Sequence, residues 1–415
     1  MISFFKRIGP GLLFAGAAIG VSHLVQSTRA GADYGLGLLW ALILINIIKY
    51  PFFEYGPRYA SATGESLLDG YKRLGKVYLQ LYFILSLATM FTIQTAVTIV
   101  TAGIANAIFG EVNFLGLLYL GLSATEIWTV IILVISFFIL LIGRYTLLDK
   151  LIKLVIILLA LSTLMAVVAA SYQFEGVYDL KQFWPAESKD LVFLIAFMGW
   201  MPAPIDVSVF HSLWAEQKMR SEQDFRQNAA RFDFNVGYLG TISVGVLFML
   251  LGFYVMFPSG TTFDTSATGF ANQLISLYTR ALGSWAEILI ALAALTAMFS
   301  TTITTLDASP RAMSRSVELI FGSKSKMNYI AWLVLLTLGT MMVFILLASE
   351  MALLIKIATV LSFLTAPFYA ALNFKLVCST HTPSKDRPPK WLKMWSWLGL
   401  LFLICFSVWY LISMA

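Results

Sequence analysis

Three side chains in this sequence have donor chemistry for a cation, and each sits inside an otherwise apolar run. They are His23 in Gly20-Val-Ser-His23, and Met201 and Asp206 in Met198-Gly-Trp-Met-Pro-Ala-Pro-Ile-Asp206. Together an imidazole, a thioether and a carboxylate suit borderline divalent ions such as Mn²⁺, Fe²⁺ or Zn²⁺ better than bare Mg²⁺. A hydrated Mg²⁺ also fits a site short of carboxylates. Gly20, Ser22 and Ala203 extend the candidate substrate-binding set through backbone and hydroxyl oxygens. Thr301 and Thr304 join it, sharing a face within the hydroxyl-rich run 300–305. Each residue also has a plainer role. The histidine can bond a neighbouring carbonyl, methionine fills core gaps, and hydroxyls in membrane helices bond backbone. With Ala203 as N-cap and Pro204 at N1, Asp206 falls at N3, where a carboxylate favours the positive helix end.

Other polar residues flank this set. Gln26, Ser208 and His211 are candidates for the pathway. Asp206 and His211 lie about 140° apart around a helix and do not share a face, whereas Ser208 and His211 do. His211 either lines an exit or packs. Lys49 is expected to snorkel or to pair with Asp33 or Glu54. Arg29 and Asp33, four apart, form a natural ion pair, and Asp307 is placed for one at a membrane edge beside Arg311. Lys356 has no partner that the sequence names.

The elements that position these residues are membrane helices. The chain has 415 residues, is 59% hydrophobic and 12% charged, and has a mean hydropathy of +0.82. A soluble domain of that length cannot hide so much apolar surface. Apolar runs of about 20 residues recur from end to end, so the class is an all-α polytopic membrane protein. About eleven spans are expected, near 9–33, 36–60, 77–109, 123–143, 147–171, 189–213, 233–257, 283–306, 328–348, 350–375 and 394–413. Every second connection is rich in Lys and Arg, from Lys6 and Arg7 through Arg144, Lys150, Lys153, Lys218, Arg220, Arg226 and Arg231 to Lys324, Lys326, Lys385 and Lys393. That alternation predicts a cytoplasmic N-terminus, an outward C-terminus and residence in the cell's inner (plasma) membrane. The first span reads as a retained helix, and the Pro- and Ser-containing basic stretch 376–393 as a cytoplasmic linker. The net charge of +6 is spread over loops and is no nucleic-acid signal. Cys378 and Cys405 make no disulfide framework. No phosphate loop, nucleophile elbow or Cys/His metal spacing is present, so neither an enzyme nor a bound cofactor is expected.

Two spans are broken. Weak helix formers interrupt span 1 at 20–23. Pro202 and Pro204 each remove a donor from span 6. Unwound backbone at membrane depth survives only where protein or a watery cavity satisfies it. The breaks are five spans apart, which predicts two five-helix repeats, about 8–171 and 189–375, an extra helix at 394–413, and a single domain over 1–415. Paired interruptions in matched halves point to a transporter's central site. The expected partners are a divalent metal cation or small solute and the lipid bilayer. The alternatives are an organic-solute carrier of the same fold, such as one for an amino acid, and a membrane sensor or subunit that does not transport.

The stretch from Gly9-Pro-Gly11 to Ala30-Gly-Ala32 resembles the first span of the Nramp divalent-metal transporters. Met201-Pro202 is similar to that family's M-P-H, the run Phe299–Leu306 to its S-S-T-I-T-G-T, and Val360-Leu-Ser362 with Pro367-Phe368 to its L-S…P-F. The resemblance implies a leucine-transporter-like fold with two inverted repeats and metal transport. It also implies D-P-G-N as the ligand motif of helix 1, where this chain has Gly20, Val21, Ser22 and His23, and M-P-H in helix 6, where it has Met201-Pro202-Ala203. Met201 is thus the family ligand that carries over by position. The acidic residues of helix 3 and arginines of helix 9 that carry protons in the family have no match in 77–109 or 328–348. The site is expected to be rebuilt.

Overall fold

The computed structural model describes residues 9–112, 121–142, 145–176, 178, 180–221, 227–322, 328–347 and 351–414. Lys6, Arg7, Arg144, Lys150, Lys153, Arg226, Lys324 and Lys326, used above for orientation, lie outside the residues whose side chains it describes.

Fifteen α-helices account for the described architecture: α1 Pro10–Ala18, α2 Thr28–Tyr34, α3 Leu39–Thr63, α4 Leu67–Leu74, α5 Lys76–Phe109, α6 Ala124–Ile142, α7 Tyr145–Tyr172, α8 Ser188–Trp200, α9 Val207–Ser221, α10 Gln227–Val255, α11 Ala267–Leu282, α12 Glu287–Phe321, α13 Tyr329–Leu347, α14 Met351–Cys378 and α15 Lys390–Met414. Seven of them are long and apolar enough to cross a membrane, and an eighth span is made by α1 with 22–34, bent by 50°. The expected count of eleven is not reached by length and composition. α3 carries Lys49, Glu54 and Arg58 inside it, and the helix broken at 201–206 leaves α8 and α9 each short.

The entry to α1 explains the Gly-Pro-Gly sequence. Pro10 takes the first helical turn, where its missing donor costs nothing. The N–H groups of Gly9 and Gly11 donate to the Asp233 carboxylate of α10 at 2.8 and 2.7 Å. A Cβ at Gly11 would stand 2.1 Å from the Asp233 carbonyl oxygen, so only glycine lets α10 come this close.

Both expected breaks are present. After α1 the chain passes through a π-helical stretch, Ser22–Ser27, into α2. Wide turns leave carbonyls poorly matched, and hydroxyls take them: Ser22 donates to Ala18 at 2.8 Å and Ser27 to Ser22 at 3.2 Å. The second break runs over 201–206, with a cis bond between Met201 and Pro202. Here the expected boundary moves. α9 begins at Val207, so Asp206 immediately precedes the helix rather than sitting at N3. The Val207 N–H donates to the Pro204 carbonyl at 3.1 Å, three residues back, which makes 204–206 a turn rather than a first α-helical turn.

One helix escaped the search for apolar spans. α11 is amphipathic: Ser266 caps it by accepting from Gly269 N at 3.1 Å, and its buried face is Phe270, Ala271, Leu274, Leu277, Tyr278 and Ala281. It packs against α5 and α7. The long pair α5 and α12 forms the other wall around the breaks, with a polar layer between them. In that layer Gln94 donates to the Thr302 carbonyl at 3.2 Å and accepts from Thr305 at 2.8 Å, and the Thr101 and Thr302 hydroxyls meet at 2.7 Å.

Candidate functional site

Between the two breaks lies a cavity of about 40 Å³. A water needs roughly 10–15 Å³ on that measure, so the space suits about three waters or one partly hydrated ion. Its wall includes Ser22 from the first break, Trp200 from the end of α8, Ala203 and Asp206 from the second break, and Thr301 and Thr305 from α12.

Asp206 is the carboxylate of this cavity. It is 7% exposed, and its Oδ1 has no hydrogen-bond partner. A buried carboxylate oxygen left unmatched is costly, and a water or a cation entering the cavity would satisfy it. Trp200 Nε1 donates to Ser362 of α14 at 2.8 Å, which fixes the indole against the cavity.

Gly20 is where the resemblance put a ligand carboxylate. A Cβ built there would meet Thr301 Oγ1 at 2.8 Å and Cγ2 at 2.9 Å. Thr301 therefore fills the room that a larger residue would need, with its hydroxyl bonded to the carbonyls of Gly16 and Ile19 at 3.2 and 3.3 Å. Thr304 is buried in α12 away from the cavity wall.

His23 and Met201 do not face the cavity. His23 is fully buried, with Nδ1 at 2.7 Å from Ser22 Oγ and Nε2 at 2.9 Å from the Thr241 carbonyl of α10. A Cβ at Gly245 of the same helix would touch Met201 Sδ at 3.3 Å and His23 Cδ2 at 3.5 Å. The two side chains pack together on α10, and both ring nitrogens of the histidine are spent. Replacing His23 by Ala is therefore expected to lower the melting temperature by several degrees, since it strands a buried carbonyl and leaves a cavity. Cation affinity should change far less than in Asp206 variants. Calorimetry beside a thermal melt checks this, and a steeper loss of affinity than in Asp206→Asn would return His23 to the ligand set.

Lys49 corrects a second expectation. It pairs with neither Asp33 nor Glu54. Fully buried on α3, it donates to the carbonyls of Met198, Gly199 and Ala203 at 2.8, 2.7 and 3.2 Å. Glu54 instead binds Arg58 at 2.7 Å and Arg231 at 3.2 Å. The other expected pairs are present: Arg29 with Asp33 at 3.0 Å and Arg311 with Asp307 at 2.7 Å.

The pathway candidates separate. Gln26 lines a second, outer cavity of about 270 Å³ with Arg29, Lys189, Asp264 and Lys356. There the Ser266 backbone N–H, at 2.7 Å, holds the Asp264 carboxyl below the usual carboxylate range. Ser208 accepts from Asn373 at 2.8 Å. His211 is buried in an aromatic cluster, stacked on Phe14 at 5.6 Å, and neither ring nitrogen has a partner. Sequence reading gave no site role to Trp200 or Gln94. A polar or indole group at mid-span was the available signal for each.

Two helices interrupted at matched places around a small, mostly apolar cavity that holds one carboxylate, inside an all-α multi-pass bundle, define a secondary transporter of the leucine-transporter-like fold. Residues 11–413 match the family model described as natural resistance-associated macrophage protein-like. An uncharacterised protein of Pasteurella multocida is 35% identical over 422 residues, covering 100% of this chain and 93% of its own length. A manganese transporter of Eremococcus coleocola, in complex with an aromatic bis-isothiourea compound, superposes with a TM-score of 0.74 at 15% identity, over 99% of this chain and 87% of its own. MhsT in complex with L-phenylalanine superposes with a TM-score of 0.67 at 14% identity, over 96% of this chain and 98% of its own. At such identities the two structures share the fold. The chain belongs to the Nramp family, whose members are membrane-embedded transporters of divalent metal cations and not enzymes.

Proposed function

We propose that this protein carries a hard divalent cation, Mn²⁺ or Mg²⁺, by alternating access, with the ion bound at Asp206 and keeping part of its water shell. The observation that carries the reading is the partnerless Asp206 Oδ1 in the cavity between the breaks. The donors around it are oxygens: the Asp206 carboxylate and the hydroxyls of Ser22, Thr301 and Thr305. Carboxylate, hydroxyl and water favour Mg²⁺ and Mn²⁺, whereas imidazole and thioether favour softer ions. With His23 and Met201 turned onto α10, the preference moves from the Fe²⁺ and Zn²⁺ end toward the hard end. One carboxylate against a double charge also favours retained water over a dehydrated cage. The basic loops of 58–76, 218–231 and 375–393 support a cytoplasmic N-terminus and an outward C-terminus in the plasma membrane.

The test is uptake of Mn²⁺ and Mg²⁺ into liposomes containing the purified protein, read by a dye trapped inside. Saturable flux of either ion supports the reading. Protein that moves neither, while remaining folded, overturns it.

A further inference from the structure

The cavity is not the only place where the second break meets charge. α8 ends at Trp200, and its last carbonyls point away from any helical partner, at the negative end of the half-helix dipole. In transporters with broken helices, such half-helix C-terminal carbonyls commonly coordinate the coupling cation. Here the carbonyls of Met198 and Gly199 in the last turn of α8, and that of Ala203 in the break beyond it, are taken by one group, Lys49 Nζ. An ammonium has three donors and no acceptor, so the fit is complete. Lys49 lies wholly inside the bundle, 0% exposed. Close packing shuts the site on another side: a Cβ at Gly199 would stand 2.2 Å from the Thr359 carbonyl oxygen of α14.

We propose that Lys49 is a tethered ammonium standing in for a coupling cation at the second broken helix. The chain supplies from α3 the single positive charge that these carbonyls otherwise draw from solution, so cargo movement here uses neither Na⁺ nor K⁺. A plain structural lysine caps the helix and has no bearing on monovalent ions. A stand-in leaves a cation site behind when its ammonium is cut away. The proposal rests on the transport reading in its flux arm alone, because the melting arm needs no cargo.

The experiment compares wild type with Lys49→Ala in Na⁺, K⁺, ammonium, methylammonium and choline chloride at matched ionic strength. Wild type is expected to melt at one temperature in all five salts, and its cation uptake to be equal in Na⁺, K⁺ and choline. Lys49→Ala is expected to melt several degrees lower in choline and to recover most of that loss in ammonium or methylammonium, because a ligand that binds only the folded state raises its stability. Flux of the variant is expected to become several-fold dependent on the added monovalent ion. A wild type whose uptake or melting depends on Na⁺ or K⁺ overturns the proposal, as does a folded variant that no monovalent cation stabilises. Should Lys49→Ala not purify, Lys49→Ser is compared in the same five salts: rescue of its melting by a monovalent cation upholds the proposal, and a folded Lys49→Ser that none of them stabilises sinks it. A wild type that moves no divalent ion in any salt fails the transport reading instead, and leaves the melting comparison to decide the role of Lys49.

Discussion

Asp206→Asn lowers divalent-cation affinity by at least about 100-fold, close to 3 kcal/mol at 1.4 kcal/mol per decade, and brings uptake down to the liposome background. The substitution keeps the size of the side chain and its place just before α9, so the helices on either side should persist. What it removes is the one carboxylate among the residues lining the cavity. The remaining wall offers hydroxyls already bonded to protein: Ser22 to Ala18, Thr301 to Gly16 and Ile19, Thr305 to Gln94. Neutral oxygens of that kind bind Mn²⁺ or Mg²⁺ weakly against the ion's own water, because a hard cation gives up hydration mainly to anionic oxygen. Asp206→Glu, which restores the charge one methylene further out, is expected to recover part of the binding. Calorimetry with Mn²⁺ and Mg²⁺ on all three proteins gives the answer. Binding by Asp206→Asn that matches wild type would falsify the assignment of Asp206.

The sequence showed the features that are local, and hid those made by distant parts of the chain. Pro202, Pro204 and the Gly-Val-Ser run disturb a helix through their own backbone chemistry, so the two breaks could be read directly. Arg29 with Asp33, four residues apart, is equally local. By contrast, the role of Lys49 depends on carbonyls about 150 residues away, and Gly9 and Gly11 find their acceptor more than 220 residues on. Residue type alone made His23 look like a ligand. Only the approach of α10, which brings the Thr241 carbonyl to Nε2, shows that the ring is already engaged. The same helix meets Met201, the one ligand the family resemblance carried over, whose sulfur lies against Gly245. α11 was missed for another reason: an amphipathic helix lacks the unbroken apolar run that marks a span, and its signal is a capping serine followed by apolar residues at helical spacing.

Close approach of α10 to the first broken helix leads to the other large effect. Gly31 on α2 and Gly252 on α10 face each other. A Cβ at Gly31 would lie 1.9 Å from the Met249 carbonyl oxygen and 2.9 Å from Phe253 N, and one at Gly252 would lie 2.1 Å from the Thr28 carbonyl oxygen. These obstacles are backbone atoms of helices, so no side chain can swing aside. Gly31→Ala must push α2 off α10, and α2 is joined directly to the π-helical stretch that carries Ser22 and His23. The expected cost is at least about 3 kcal/mol, above the usual range for overpacking because backbone has to shift. Uptake should fall with it, as Ser22 leaves the cavity wall. Gly240→Ala provides the contrast on the same helix. A Cβ there has nothing within 4 Å. Alanine in a helix interior is favoured over glycine by up to about 1 kcal/mol, so this variant should melt at or above wild type. If contact between these two helices positions the first break, the two substitutions separate in melting temperature and only Gly31→Ala loses flux. Equal melting temperatures for both variants would mean that α2 does not depend on this crossing, and that the bend at the first break is held by the hydroxyl bonds of Ser22 and Ser27.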